Sequence, residues 1–336
     1  VGQMDMTQQL RVEASYSDGS TRDVTCWAKF DSMDDATLTV SEFGSVNAIG
    51  KGQATIMVLF EDHAEISTFI VPHSTTVQLA GWKDNNFVDE LAARKFRELG
   101  VEPSPLCDDA TFLRRAFFDA VGTLPPTDVV REFIKSDDAK KREKLVDQLL
   151  GLTGDPKLDV HNDAYAAFWA LKWSDLIRNN SNDLGEQGMW SLHNWIRESF
   201  RTNKPFDEFV RELVTAKGSI YSNGPANYFR INKNSSDLAE STAQLFLGVR
   251  LACAKCHHHP FEKYSQADYK QFGAFFSRVR TKNSEEFGLF GRESVVVVDP
   301  RPVKATPLGG EPTEHPLDIR IPLGQWLTAA ENDYFA

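Results

Sequence analysis

The sequence predicts a multidomain chain of two parts, an N-terminal all-β sandwich and then a mainly α-helical domain. Three observations carry this prediction. Short runs of alternating apolar and polar residues fill residues 6 to 72, and from residue 86 apolar residues recur at helical spacing. No apolar stretch approaches the roughly 20 residues that a bilayer-crossing helix requires, so no membrane insertion of this segment is expected.

In the first part, Gln9-Leu10-Arg11-Val12-Glu13-Ala14-Ser15-Tyr16 and Ala54-Thr55-Ile56-Met57-Val58-Leu59-Phe60 place one face inward at period two. Asp18-Gly19 lies after the first run and supplies the positive φ angles of a tight hairpin turn. The stretches from Tyr16 to Thr25 and from Gly44 to Ile56 resemble the group 2 bacterial immunoglobulin-like domain, over residues 1–73. That resemblance implies an immunoglobulin-like sandwich serving as a spacer or adhesion module in a cell-surface or secreted protein.

His73-Ser74-Thr75-Thr76 breaks the alternation, and residues 74–85 form a linker. Asp108 or Asp109 caps a helix with the stripe Leu113, Ala116, Phe117, Ala120 and Val121, which Gly122 and Pro125-Pro126 end. Further stripes are Leu145, Val146, Leu149 and Leu150; Tyr165, Phe168, Trp169 and Leu176; and Phe206, Phe209, Val210 and Leu213. Leu238, Thr242, Leu245, Phe246 and Val249 lead towards two cysteines, and Ser265 with Asp268 has the spacing of a capping box before Tyr269, Phe272, Phe276 and Val279. Ser294 to Val298 predicts one buried strand, and residues 300–336 form a Pro/Gly-rich extension of the helical domain at 86–299.

The formal net charge of -11 argues against a nucleic-acid or anionic-membrane partner, because binding phosphates needs a basic surface. The basic run Lys140-Lys141-Arg142-Glu143-Lys144 is a solvated helix face. No phosphate-binding glycine loop, nucleophile elbow or His-Glu-x-x-His helix occurs, and four cysteines in 336 residues do not make a dense disulfide framework.

Chemistry concentrates in Cys253-Ala254-Lys255-Cys256-His257-His258-His259, which holds two of the four cysteines and three of the eight histidines. Cys-x-x-Cys-His is the attachment pattern of haem c: two thiols form thioethers and the next histidine ligates the iron. Cys253 and Cys256 are then the anchors and His257 the proximal ligand. Zinc is the alternative cofactor, held by Cys253, Cys256 and either His257 or His259, with Cys107, His193 or a water completing the set. A local disulfide, or two thiols that merely pack, is the plainer reading.

For a sixth iron ligand, Met189 is the only methionine outside the β segment, and His193 stands one turn further along the same helix face with Ile196 and Phe200. Core packing is the commoner fate of both residue types. Trp169, Trp173, Trp190 and Trp195 crowd this region as packing residues, with a sugar-stacking platform or haem wall as the alternatives.

The run from Asp237 to Tyr264, with Asp109-Ala110-Thr111-Phe112-Leu113-Arg114-Arg115 and Asn203-Lys204-Pro205-Phe206-Asp207-Glu208-Phe209, resembles the planctomycete cytochrome-like family of uncharacterised secreted proteins. Its pattern Cys-x-x-Cys-His-x-His-Pro-Phe falls on Cys253, Cys256, His257 and His259, and the likeness spans about residues 86–336. The resemblance implies an extracytoplasmic location, a haem, and a further helical domain of the same chain after Ala336. A redox protein or a surface polysaccharide is the expected partner.

Overall fold

The computed structural model describes residues 2–61, 63–256, 264–288 and 291–335. It divides into two compact units, one running to Leu106 and one beginning at Cys107.

The first unit is built from β1 (Thr7–Gln9), β2 (Glu13–Ser15), β3 (Thr21–Asp23), β4 (Lys29–Ser32), β5 (Leu38–Val40), β6 (Ser45–Ala48), β7 (Gly52–Phe60) and β8 (His63–Val71). They form the antiparallel sheets β1-β6-β5, β2-β3 and β4-β7-β8. Alternate residues of the larger sheets meet in one core of Phe30, Leu38, Val46, Ala48, Ala54, Ile56, Val58 and Val71. Period-two patterning buries one face of each strand, so the alternation seen in the sequence is the core itself. The run from Gln9 to Tyr16 is two short strands rather than one. In the turn that follows, only Gly19 takes a positive φ, at 82°.

Helix α1 (Phe87–Leu99) belongs to the same unit. Asn86 caps its start by accepting from the Val88 and Asp89 amides, and Gly100 ends it in the left-handed region at φ 66°. The His73 amide donates to Leu99 O at 2.8 Å, which ties the chain leaving β8 to the end of the helix.

The second unit is mainly helical: α2 (Asp109–Val121), α3 (Thr127–Lys135), α4 (Lys141–Leu150), α5 (Asn162–Ile177), α6 (Ser181–Arg201), α7 (Phe206–Thr215), α8 (Tyr228–Ile231), α9 (Ser235–Leu247), α10 (Gln266–Gly273) and α11 (Arg320–Leu327). Asp108 supplies the α2 cap by accepting from the Thr111 amide, and Gly122 ends that helix. Leu113, Phe117, Val121, Leu145 and Leu149 make a small core of α2 and α4. A larger core joins α5 to α11 through residues such as Ile177, Leu192, Val210, Phe246 and Phe272.

Several stripes differ by one step from the sequence pattern. Helix α5 buries Ala166, Ala170, Ser174 and Ile177, while Leu176 faces solvent. Small residues fill the buried face of α5, and Tyr165, Trp169 and Trp173 beside them meet Phe200 of α6. Helix α6 buries Leu184, Gly188, Leu192, Ile196 and Ser199, and breaks at Gly185, where φ is 69° and ψ 165°.

The aromatic helix after Ser265 is shorter than its stripe. It passes into a 3-10 turn at Ala274–Phe276, and Val279 opens a strand. Strands β9 (Gly218–Ser219), β10 (Val279–Gly288) and β11 (Gly291–Val298) form a sheet in the order β10-β11-β9. β11 is central, yet its valines alternate, with Val296 buried and Val295 and Val297 half-buried.

The extension beyond residue 300 carries structure of its own. β12 (Lys304–Ala305) pairs with β13 (Thr313–Glu314), and α11 packs on α7. Among the described residues, no helix is long and apolar enough to cross a membrane.

Candidate functional site

Helix α9 delivers the chain to the cysteines. It buries Leu238, Ala239, Thr242, Ala243, Phe246 and Leu247, and stops at Gly248, whose φ of 67° is readily available to glycine. Val249 remains buried, and the chain then makes one 3-10 turn over Leu251–Lys255. Residues three apart eclipse one another in such a turn. Leu251 and Ala254 therefore share the inward side, where they are 1% and 0% exposed, and Cys253 and Cys256 are exposed free thiols. The Cys-x-x-Cys spacing thus sets one exposed cysteine inside the 3-10 turn and the other at its C-cap, three residues on.

Two helices brace this turn. From α10, Gln266 Nε2 donates to Lys255 O at 3.1 Å and to Cys256 O at 3.2 Å. Its position is fixed by the Ser265–Asp268 capping box, in which each side chain accepts from the other residue's backbone amide. From α9, Glu240 Oε1 lies 3.6 Å from Lys255 Nζ and accepts a 2.6 Å hydrogen bond from the Tyr269 hydroxyl. Burial and the adjoining carboxylate push the Tyr269 phenol up to about 12, so it stays protonated and donating. His257 and His259 lie outside the described residues.

Met189 and His193 sit half-buried on α6, which packs on α5. His193 Nδ1 is 3.4 Å from Ser174 Oγ, and its ring stands edge-on to Trp190 at 5.5 Å. Burial, reinforced by Arg197, lowers its pKa and keeps it neutral at pH 7. Met189 packs against the main core. Among the described residues, no hydrogen bond joins either side chain to Cys253 or Cys256, and no group of three metal-ligating side chains gathers.

Cys107, half-buried, precedes α2, and its carbonyl accepts from Arg142. The tryptophans divide by role. Trp169 donates to Ala120 O and stacks on Phe200, Trp173 packs among Phe206, Phe209 and Phe246, and Trp195 stacks on Phe209 at 4.5 Å. Trp190 alone of the four is exposed, at 54%.

Sequence reasoning found the thiols but missed their supports. Glu240, Gln266 and Tyr269 carry ordinary helix-surface or core patterns, and only the fold brings them to the turn. Chemically, the arrangement offers two sulfur nucleophiles three residues apart on a short turn whose backbone is held by side chains from two helices.

No curated protein matches the chain. A family model, PSCyt2, described as a protein of unknown function (DUF1549), matches residues 87–281. That span is more than half of the chain, and it takes in α1 to α10 together with the whole cysteine turn. The chain therefore belongs to the PSCyt2 family, a family of planctomycete cytochrome-like domains.

Proposed function

We propose that this chain is an extracytoplasmic c-type haem-binding or electron-transfer protein, with Cys253 and Cys256 as thioether anchors and His257 as proximal ligand. The observation that carries the reading is the pair of free, exposed thiols three residues apart, one within a braced 3-10 turn and one at its C-cap. Their donor chemistry fits the covalent half of such a site. The bound group would supply a one-electron redox centre.

The chain's own residues do the positioning. Gln266 fixes the Lys255 and Cys256 carbonyls, Glu240 holds Lys255, and the buried pair Leu251 and Ala254 pins the turn to the core. Met189 and His193 are the sixth-ligand candidates, and burial keeps His193 in the neutral form able to coordinate. A redox partner outside the cytoplasm follows from this reading.

The test is production of the chain together with a haem-attachment system. The expected result is an intact mass raised by one haem and a Soret band that survives acid-acetone extraction. Both should disappear in the Cys253→Ser, Cys256→Ser double variant. A colourless protein of unmodified mass defeats the reading, and one zinc per chain in such a protein would establish the zinc alternative instead.

A further inference from the structure

The outer face of α9 borders a solvent-open cleft of about 510 Å³. Asp237, Glu240, Ser241 and Gln244 stand at i, i+3, i+4 and i+7 and form a polar stripe along it. The opposite wall is apolar and aromatic, with the half-buried rings of Trp173 from α5 and Phe206 from α7. The size lies within the range of small-molecule sites.

The backbone also carries strain here. Arg178 ends α5 in the left-handed region, at φ 66° and ψ 38°, where α1, α2, α4 and α9 use glycine. A side chain is disfavoured in that conformation, and such strain gathers at ligand clamps. The Arg178 side chain lines the cavity and donates to Asn232 Oδ1 at 2.5 Å.

The lining chemistry narrows the occupant. The lining sets two carboxylates, Asp237 and Glu240, against one guanidinium, Arg178, so it disfavours an anion and offers a neutral polar molecule both acceptors and a donor. A wholly apolar ligand would strip water from the polar stripe without replacing its hydrogen bonds. What satisfies both walls is an uncharged molecule with one C–H face and a rim of hydroxyls. We propose that this cavity binds a neutral sugar, one or two rings in size, with its C–H face on the Trp173 and Phe206 side and its hydroxyls on the α9 stripe. The cavity shares Glu240 with the brace of the cysteine turn, but the proposal does not depend on what the thiols carry.

The test titrates the full chain with glucose, mannose, xylose, their short oligomers and glucuronic acid, followed by calorimetry and saturation-transfer NMR. Neutral sugars are expected to bind and glucuronic acid to bind more weakly. Tighter binding of oligomers would identify a polysaccharide as the source, and equal binding a free sugar. Gln244→Ala, at an exposed position, should weaken binding about tenfold while leaving the melting temperature near that of the parent, and Asp237→Asn, which also alters the bond that Asn234 Nδ2 donates to Asp237 Oδ2, should weaken binding to a similar degree. The proposal is overturned if no neutral sugar binds at concentrations on the order of 10 mM. Preference for glucuronic acid, or unchanged binding by both variants, overturns it equally.

Discussion

The Tyr269 hydroxyl donates to Glu240 Oε1 at 2.6 Å, joining α10 to α9 beside one of the two residues that separate the cysteines, since Lys255 meets the same oxygen at 3.6 Å. Tyr269→Phe removes a donor to a carboxylate and is expected to cost about 1–2 kcal/mol by chemical denaturation. The sign of the pH effect follows from the phenol being pushed up to about 12, against about 10 in an unfolded chain. Its contribution is complete below pH 10 and lost as pH rises towards 12. The variant should therefore show a flatter alkaline stability profile.

Arg320 supplies a second test, of the docking of α11. Its guanidinium is fully buried, paired with Asp318 at 2.8 Å, bonded to Ala216 O at 2.8 Å and placed over the Phe229 ring. Asp318→Ala strands a buried cation and should cost about 3–5 kcal/mol. An Arg320→Met, Asp318→Leu double variant should recover much of that loss. Thermal melts of the three proteins decide it.

These two networks show where sequence reading stops. The capping box at Ser265, the α2 cap at Asp108 and the β alternation are local, so spacing alone reveals them. Arg320 sits in a Pro- and Gly-rich stretch whose short helix has no apolar period long enough to stand out, and its bond to Ala216 spans 104 positions. The face of α5 was misjudged for a related reason. Periodicity weights large apolar residues, whereas the tight α5–α6 contact selects alanine and serine. The cysteine pair was legible from its spacing, but the brace from Glu240 and Gln266 depends on tertiary contacts.

His161 gives a prediction at acid pH. Burial lowers its pKa from the usual 6.5, and its ring packs edge-on to Phe117 at 5.2 Å. The unfolded chain therefore takes up this proton first, and stability falls as pH drops below about 6.5 until the folded-state pKa is passed. His161→Gln should remove that part of the slope in denaturation curves measured between neutral and mildly acid pH.

Gly100 tests the end of α1. A methyl group there would lie 2.1 Å from Ser74 O and 2.4 Å from Ser74 N, both backbone atoms, at a φ of 66°. Gly100→Ala is expected to destabilise the first unit by more than about 2 kcal/mol. Gly81→Ala has a similar φ but nothing within 4 Å, so it should cost only the backbone term of about 1–2 kcal/mol. Proteolysis followed by mass spectrometry separates the two.

Thiol accessibility supplies a last check. In protein produced without haem attachment, Cys26, Cys253 and Cys256 should alkylate quickly under native conditions, and the half-buried Cys107 more slowly. Mass spectrometry of timed reactions reads the order.

The short, braced spacing of the two thiols has a kinetic corollary. Once a bifunctional reagent has joined one of two sulfurs held three residues apart on a single turn, its second reactive group meets the other at an effective concentration set by the turn rather than by the solution. The second bond then forms as an intramolecular closure with little chain entropy left to lose, because Leu251, Ala254 and Gln266 have already fixed the backbone between the anchors. Bifunctional reagents should accordingly add once per chain across Cys253 and Cys256, with singly attached adducts too short-lived to accumulate.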